Sequence, residues 1–244
     1  MAAFIDGGRP IDRTNWTNTI VSYYPFGGAI ALALDLSLRE RAGGQLSLDD
    51  FMRAMWQEYG SPGGSREGYV DHPYTSADAE ATLADVSGDR AFAADFFARF
   101  IRGHEAADYA TLLVPAGFVV RKQNPGRAWM GDIGFDSGPP QLGELVAPTW
   151  PLYASGLDQD DEIQRLDGQT ILAPADLATV IHRHKPGDRI EVVFVDRTGK
   201  PKSAKVVLVE DPHLSVMPIE SIGGTLTAAA RSFRERWLGP KSER

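Results

Sequence analysis

The chain has 244 residues, 43% of them hydrophobic and 24% charged, which is enough for one large domain or two ordinary ones with a sizeable core. Its 25 Lys and Arg against 33 Asp and Glu give a net charge of −8, and the cations are scattered rather than gathered into a stripe, which argues against a nucleic-acid partner. No run approaches the roughly 18 apolar residues that span a bilayer, MAAFIDGGRP has neither a basic start nor an apolar signal core, and no cysteine is present for a disulfide or thiolate site. These features predict a soluble chain with no membrane partner, and they fit cytosol and periplasm equally well.

Residues 1–20 are rich in Gly, Asn, Thr and Asp without sustained periodicity, which predicts an irregular lead-in. From Ser22 to Ala42 the apolar residues Ile30, Leu32, Leu34, Leu36 and Leu38 alternate as in a strand. The composition is Ala and Leu with almost no β-branching, and the segment closes on Arg39, Glu40 and Arg41 before Gly43-Gly44, so a buried helix is expected. Ser47 with Asp49 and Asp50 offers the cap and acidic first turn of a second helix carrying Phe51, Met52, Met55 and Trp56. After a Gly, Ser and Pro-rich loop at 60–74, Thr75 and Ser76 can cap a third helix, and Phe92, Phe96, Phe97 and Phe100 fall at helical spacing in a fourth.

Beyond Gly117 the texture changes to the short β-rich segments FVV, AWMGDIGF, DEIQRLDG, RIEVVFV and AKVVLVE. The last two flank a turn at 196–200 and read as a hairpin with Ile190, Val192 and Phe194 on one buried face with Val206 and Leu208. Pro174 opens a short helix bearing Leu177, Val180 and Ile181, and residues 225–238 close the chain as a helix. The expected fold class is α+β, with a helical region over 1–116, a β-rich domain over 117–215 and a C-terminal helical extension over 216–244.

The segment from Trp150 to Gly168 resembles bacterial PDZ domains, with Ala154, Gly156, Leu157, Asp161, Ile163, Asp167 and Gly168 in place and Asp160 where a Gly is usual. That resemblance implies that Trp129, Met130, Gly131 and Asp132 form a loop whose backbone N–H groups can receive a peptide carboxylate. An extended peptide would add as a strand beside Ile133 and Phe135 and rest against Leu177 and Ile181. Each of these apolar side chains would serve equally well as plain core.

Ser22-Tyr23-Tyr24-Pro25-Phe26-Gly27, followed by an apolar helix ending Asp35-Leu36-Ser37-Leu38-Arg39, is similar to the segment after the active site of glycyl aminopeptidases. The Ser-Leu-Asp-Asp helix around 47–50, Phe96-Phe97 to Gly103, and Trp237-Leu238-Gly239 extend the resemblance to nearly the whole chain after about residue 14. It implies a zinc metallopeptidase in which Tyr24 donates its phenol O–H to the oxyanion formed when zinc-bound water attacks a peptide carbonyl. Phe26 stands where related enzymes often have Lys, and outside the resemblance a tyrosine at a helix start is more simply a packing residue. A His-Glu-x-x-His pair with a third carboxylate is needed to hold the zinc. The five His lie at 72, 104, 182, 184 and 213, and His104-Glu105-Ala106-Ala107-Asp108 ends in Asp just after Gly103. No metal or cofactor is therefore expected in this chain, zinc is implied only for a parent enzyme, and the N-terminal part of that peptidase and a peptide substrate or ligand are the implied partners. A stand-alone peptide-binding module on a helical scaffold is the competing expectation.

Overall fold

A computed structural model describes residues 23–133, 140–143 and 146–239. The chain divides into two units, a helical one made of Tyr23–Val120 with Val216–Arg244, and a β-rich one built on Arg121–Ser215, so the fold is α+β.

In the helical unit, helix α1 spans Tyr23–Arg41, α2 Leu48–Met55, α3 Ser76–Ser87, α4 Arg90–Phe96 and α5 Tyr109–Leu112. The leucines that alternate like a strand lie on a helix, and apart from the exposed Leu32 they are divided between two cores. Leu34 and Leu38, one turn apart, enter a core with Leu83, Phe92, Phe96 and Phe100, whereas Leu36 enters a second core with Leu113, Ala116 and Phe233. A residue two positions along a helix points almost to the opposite face, so period-2 hydrophobicity follows from two cores as readily as from a strand. Helix starts use the capping chemistry expected of them. Asp50 accepts the Ser47 backbone N–H at 2.9 Å, and Asp78 accepts that of Thr75 at 2.8 Å while Thr75 Oγ1 accepts the Asp78 N–H at 3.3 Å. Helices α2 and α4 each run on into a wide π-type turn, Trp56–Gly60 and Phe97–Ile101. Within the α2 segment only Met55 is buried, while Met52 and Trp56 are more than half exposed, so the apolar spacing there over-states the core. The closing helix begins later than its sequence suggests, at Ala228, where Thr227 Oγ1 caps the Ala230 N–H, and it ends at Leu238.

Strand β1, Phe118–Lys122, leads into the β-rich unit. There β2 is Ala128–Trp129, α6 Pro151–Ala154, β3 Glu162–Leu166, β4 Gln169–Thr170 and α7 Pro174–Ile181. Strands β5, Arg189–Val195, β6, Pro201–Val207, and β7, Val209–Glu210, follow, and β8, Leu214–Pro218, leads back to the helical unit. The main sheet has the order β4-β3-β5-β6, all antiparallel, and β2 pairs with β7. The expected hairpin is β5-β6, with Ile190 opposite Val206, and its buried face joins Met130, Leu152, Leu157, Ile163 and Leu166 in one core under α7. Asp167-Gly168 makes the two-residue turn from β3 to β4 with φ of 48° and 78°, the geometry such hairpins require. Asp160, where glycine is usual, keeps the glycine-like backbone at φ 68°. Because a left-handed non-glycine residue is strained, Asp160→Gly should raise stability by about 0.5 kcal/mol and Asp160→Val lower it by about 1 kcal/mol. Urea unfolding of the two variants checks this, and a loss with glycine would show that the Asp160 side chain holds the turn.

Candidate functional site: a groove in the β-rich unit

The short strand β2 is fixed by its ladder to β7, with Ala128 opposite Glu210 and Trp129 opposite Val209. The backbone then leaves the sheet, and a cavity of about 570 Å³ opens between this segment and α7. Trp129, Gly131, Asp132, Ile133, Leu177 and Ile181 all line it, so six of the eight residues singled out as a peptide site come together. Met130 does not line it. Its side chain is fully buried in the core beneath, because the residue after Trp129 points to the opposite face of the extended backbone. Phe135 lies outside the described residues, and Ile133 sits in irregular backbone past the end of the strand, whose ladder stops at Trp129.

Gly131 is required where it stands. At φ 153° its backbone passes so close to Trp150 that an added Cβ would lie 2.7 Å from the indole. Trp129 packs edge-on against Trp150, with ring centroids 5.8 Å apart, and edge-on against His213 at 6.3 Å. The Trp129 indole N–H donates to Asp132 Oδ1 at 2.8 Å.

His213, not among the residues singled out from the sequence, also lines the cavity, as do Asn124, Arg127 and Asp211. Its Nδ1 lies 2.6 Å from Asp211 Oδ1 and its Nε2 3.1 Å from Asp132 Oδ2. Both contacts can be donated only by the imidazolium. The hydrogen bond to Asp211, then the charge of Asp132, raise the imidazole above its ordinary value, against a smaller effect of desolvation. Burial pushes the Asp211 carboxyl up, but donors from the His213 backbone, Asn124 and the His213 ring outweigh it and hold it below the usual range. Asp211 is buried and Asp132 is half exposed, so only Asp132 presents a carboxylate to a ligand.

Tyr24 is in the first turn of α1 and the residue is 73% exposed. The residues that imitate a zinc motif have structural partners instead: Glu105 accepts from Arg99 at 2.8 Å, and Asp108 caps α5 through Thr111. Among the described residues no three His, Asp or Glu side chains are grouped to hold a metal ion, so the described residues do not fit the zinc that the resemblance attaches to a parent enzyme. No described helix is long and apolar enough to cross a membrane. A second, mainly apolar cavity of about 350 Å³ in the helical unit is walled by Met52, Trp56, Val70 and Tyr74.

No known family's sequence model matches the chain, and no curated protein does. Among solved structures, an aminopeptidase N family protein from Idiomarina loihiensis is similar over 93% of this chain and 38% of that one, with a TM-score of 0.63 and 20% identity. A serine endoprotease from Yersinia pestis matches over 35% of this chain and 29% of that one, with a TM-score of 0.29 and 17% identity. The HtrA-type protease AlgW with a decapeptide matches over 36% of this chain and 30% of that one, with a TM-score of 0.31 and 22% identity. The chain therefore has an aminopeptidase-like fold, and it spans 38% of the length of the aminopeptidase N family protein that it matches.

Proposed function

We propose that this chain is the C-terminal part of a zinc aminopeptidase of the glycyl aminopeptidase type, contributing an oxyanion-binding tyrosine and a PDZ-type peptide groove. The observation that carries the reading is the likeness of fold over 93% of this chain to 38% of an aminopeptidase N family protein. Tyr24, with an exposed phenol at the start of α1, is then the donor to the charge that develops on the scissile carbonyl. The zinc, the water it activates and the general base belong to another part of the enzyme, and the reaction is removal of N-terminal residues, Gly and Ala preferred. In this reading the chain alone is inactive. Incubated with glycine and alanine anilides, with or without added Zn²⁺, it should release no amine above the buffer rate, and turnover that follows the chain through purification would overturn the proposal.

The groove favours a second reading, a stand-alone peptide-binding module on a helical scaffold. Its apolar wall on α7 and polar rim at Asp132 and His213 suit an extended peptide whether or not a peptidase is attached. Peptide affinity with no aminopeptidase activity in any assembly containing the chain would decide for it.

A further inference from the structure

We propose that the groove selects peptides carrying a lysine or arginine side chain, which takes Asp132 from His213. The inference rests on the reading of this cavity as a peptide groove and adds the chemistry of its ligand. The carboxylate of Asp132 stands half exposed on the rim, each oxygen holding one hydrogen bond, from Trp129 Nε1 at 2.8 Å and with His213 Nε2 at 3.1 Å. A carboxylate has about four acceptor positions, so it can take further donors. The Trp129 bond aims it and the edge-on packing on Trp150 keeps the indole in place. Asp211 is not available in this way, because it is buried and bonded to Asn124 and twice to His213. A peptide's C-terminal carboxylate arriving at this rim would meet Asp132 at close range and be repelled, whereas an ammonium or guanidinium would be attracted.

The competitor for Asp132 is His213. Its shorter bond, at 2.6 Å, is to Asp211, so the weaker link at 3.1 Å is the one a ligand would replace. As the imidazolium it neutralises Asp132, and on losing its proton it keeps a single N–H, which the Asp211 bond retains. Arg127 is the remaining cation lining the cavity, Lys122 pairs with Glu210, and Pro174, Leu177, Ala178 and Ile181 on the α7 side carry no charge. Binding of a cationic side chain is therefore weak while His213 is protonated and strengthens as the pH rises through the raised histidine value.

The test uses the whole chain and end-blocked fluorescent decapeptides of Ala, Val and Gly with a central Lys, norleucine or Glu, read by anisotropy from pH 5.5 to 8.5. The lysine peptide should bind about fivefold tighter than the norleucine peptide at the alkaline end and lose that advantage at the acid end. His213→Asn should make the advantage independent of pH, and Asp132→Asn should remove it. Lysine and norleucine peptides binding alike at every pH, or the glutamate peptide binding best, would overturn the inference and leave the groove reading intact. Failure of all three peptides to bind would overturn the groove reading and the inference with it.

Discussion

Asp35→Ala should lower the stability of the helical unit by about 3–5 kcal/mol, the cost of leaving a buried charge without its partner. Arg39 Nε donates to Asp35 Oδ2 at 2.8 Å across one turn of α1, and both side chains are only about a tenth exposed. The other carboxylate oxygen accepts the Leu48 N–H at 2.8 Å, satisfying one of the open donors at the start of α2. Arg39 also reaches the Arg236 carbonyl of the closing helix at 3.3 Å, so one ion pair ties three segments of the unit. Removing the carboxylate strands the guanidinium and an amide together. Replacing both partners, Asp35→Leu with Arg39→Met, should cost much less than Asp35→Ala alone, because no charge is then left buried. Guanidinium unfolding followed by far-UV circular dichroism checks both, and a loss below about 1 kcal/mol for Asp35→Ala would show that the pair is solvated.

Local signals were the legible ones. The capping residues Ser47 and Thr75 and the phenylalanine ladder from Phe92 to Phe100 depend on neighbours within a few positions, and each appears where the sequence places it. Helix α1 needed composition to overrule periodicity, and its two cores give the reason. What depends on packing at a distance was not legible. Met52 and Trp56 have the spacing of core residues but face a cavity, and Met130 turns inward from a site to which its neighbours Trp129 and Gly131 belong. His213 was invisible as a site residue because its partner Asp132 lies 81 positions away, and long-range backbone pairing, including that of β2 with β7, brings their segments together. Asp211-Pro212-His213 did carry one local clue, an aspartate able to accept the backbone N–H two residues on, which it does at 2.9 Å.

The oxyanion role proposed for this chain rests on Tyr24. A phenol is a protonated donor at neutral pH and can bind charge that exists only in the transition state. Exchange for phenylalanine removes that one O–H and leaves the ring. In the proposed enzyme, reconstituted with a zinc-bearing part, Tyr24→Phe should therefore lower kcat about 10²-fold while changing KM by less than about threefold. Steady-state hydrolysis of an alanine anilide by the two forms, with zinc content and folding matched, is the direct measurement. A selective fall in kcat is the predicted result, and an unchanged kcat would remove Tyr24 from the mechanism and contradict the assignment.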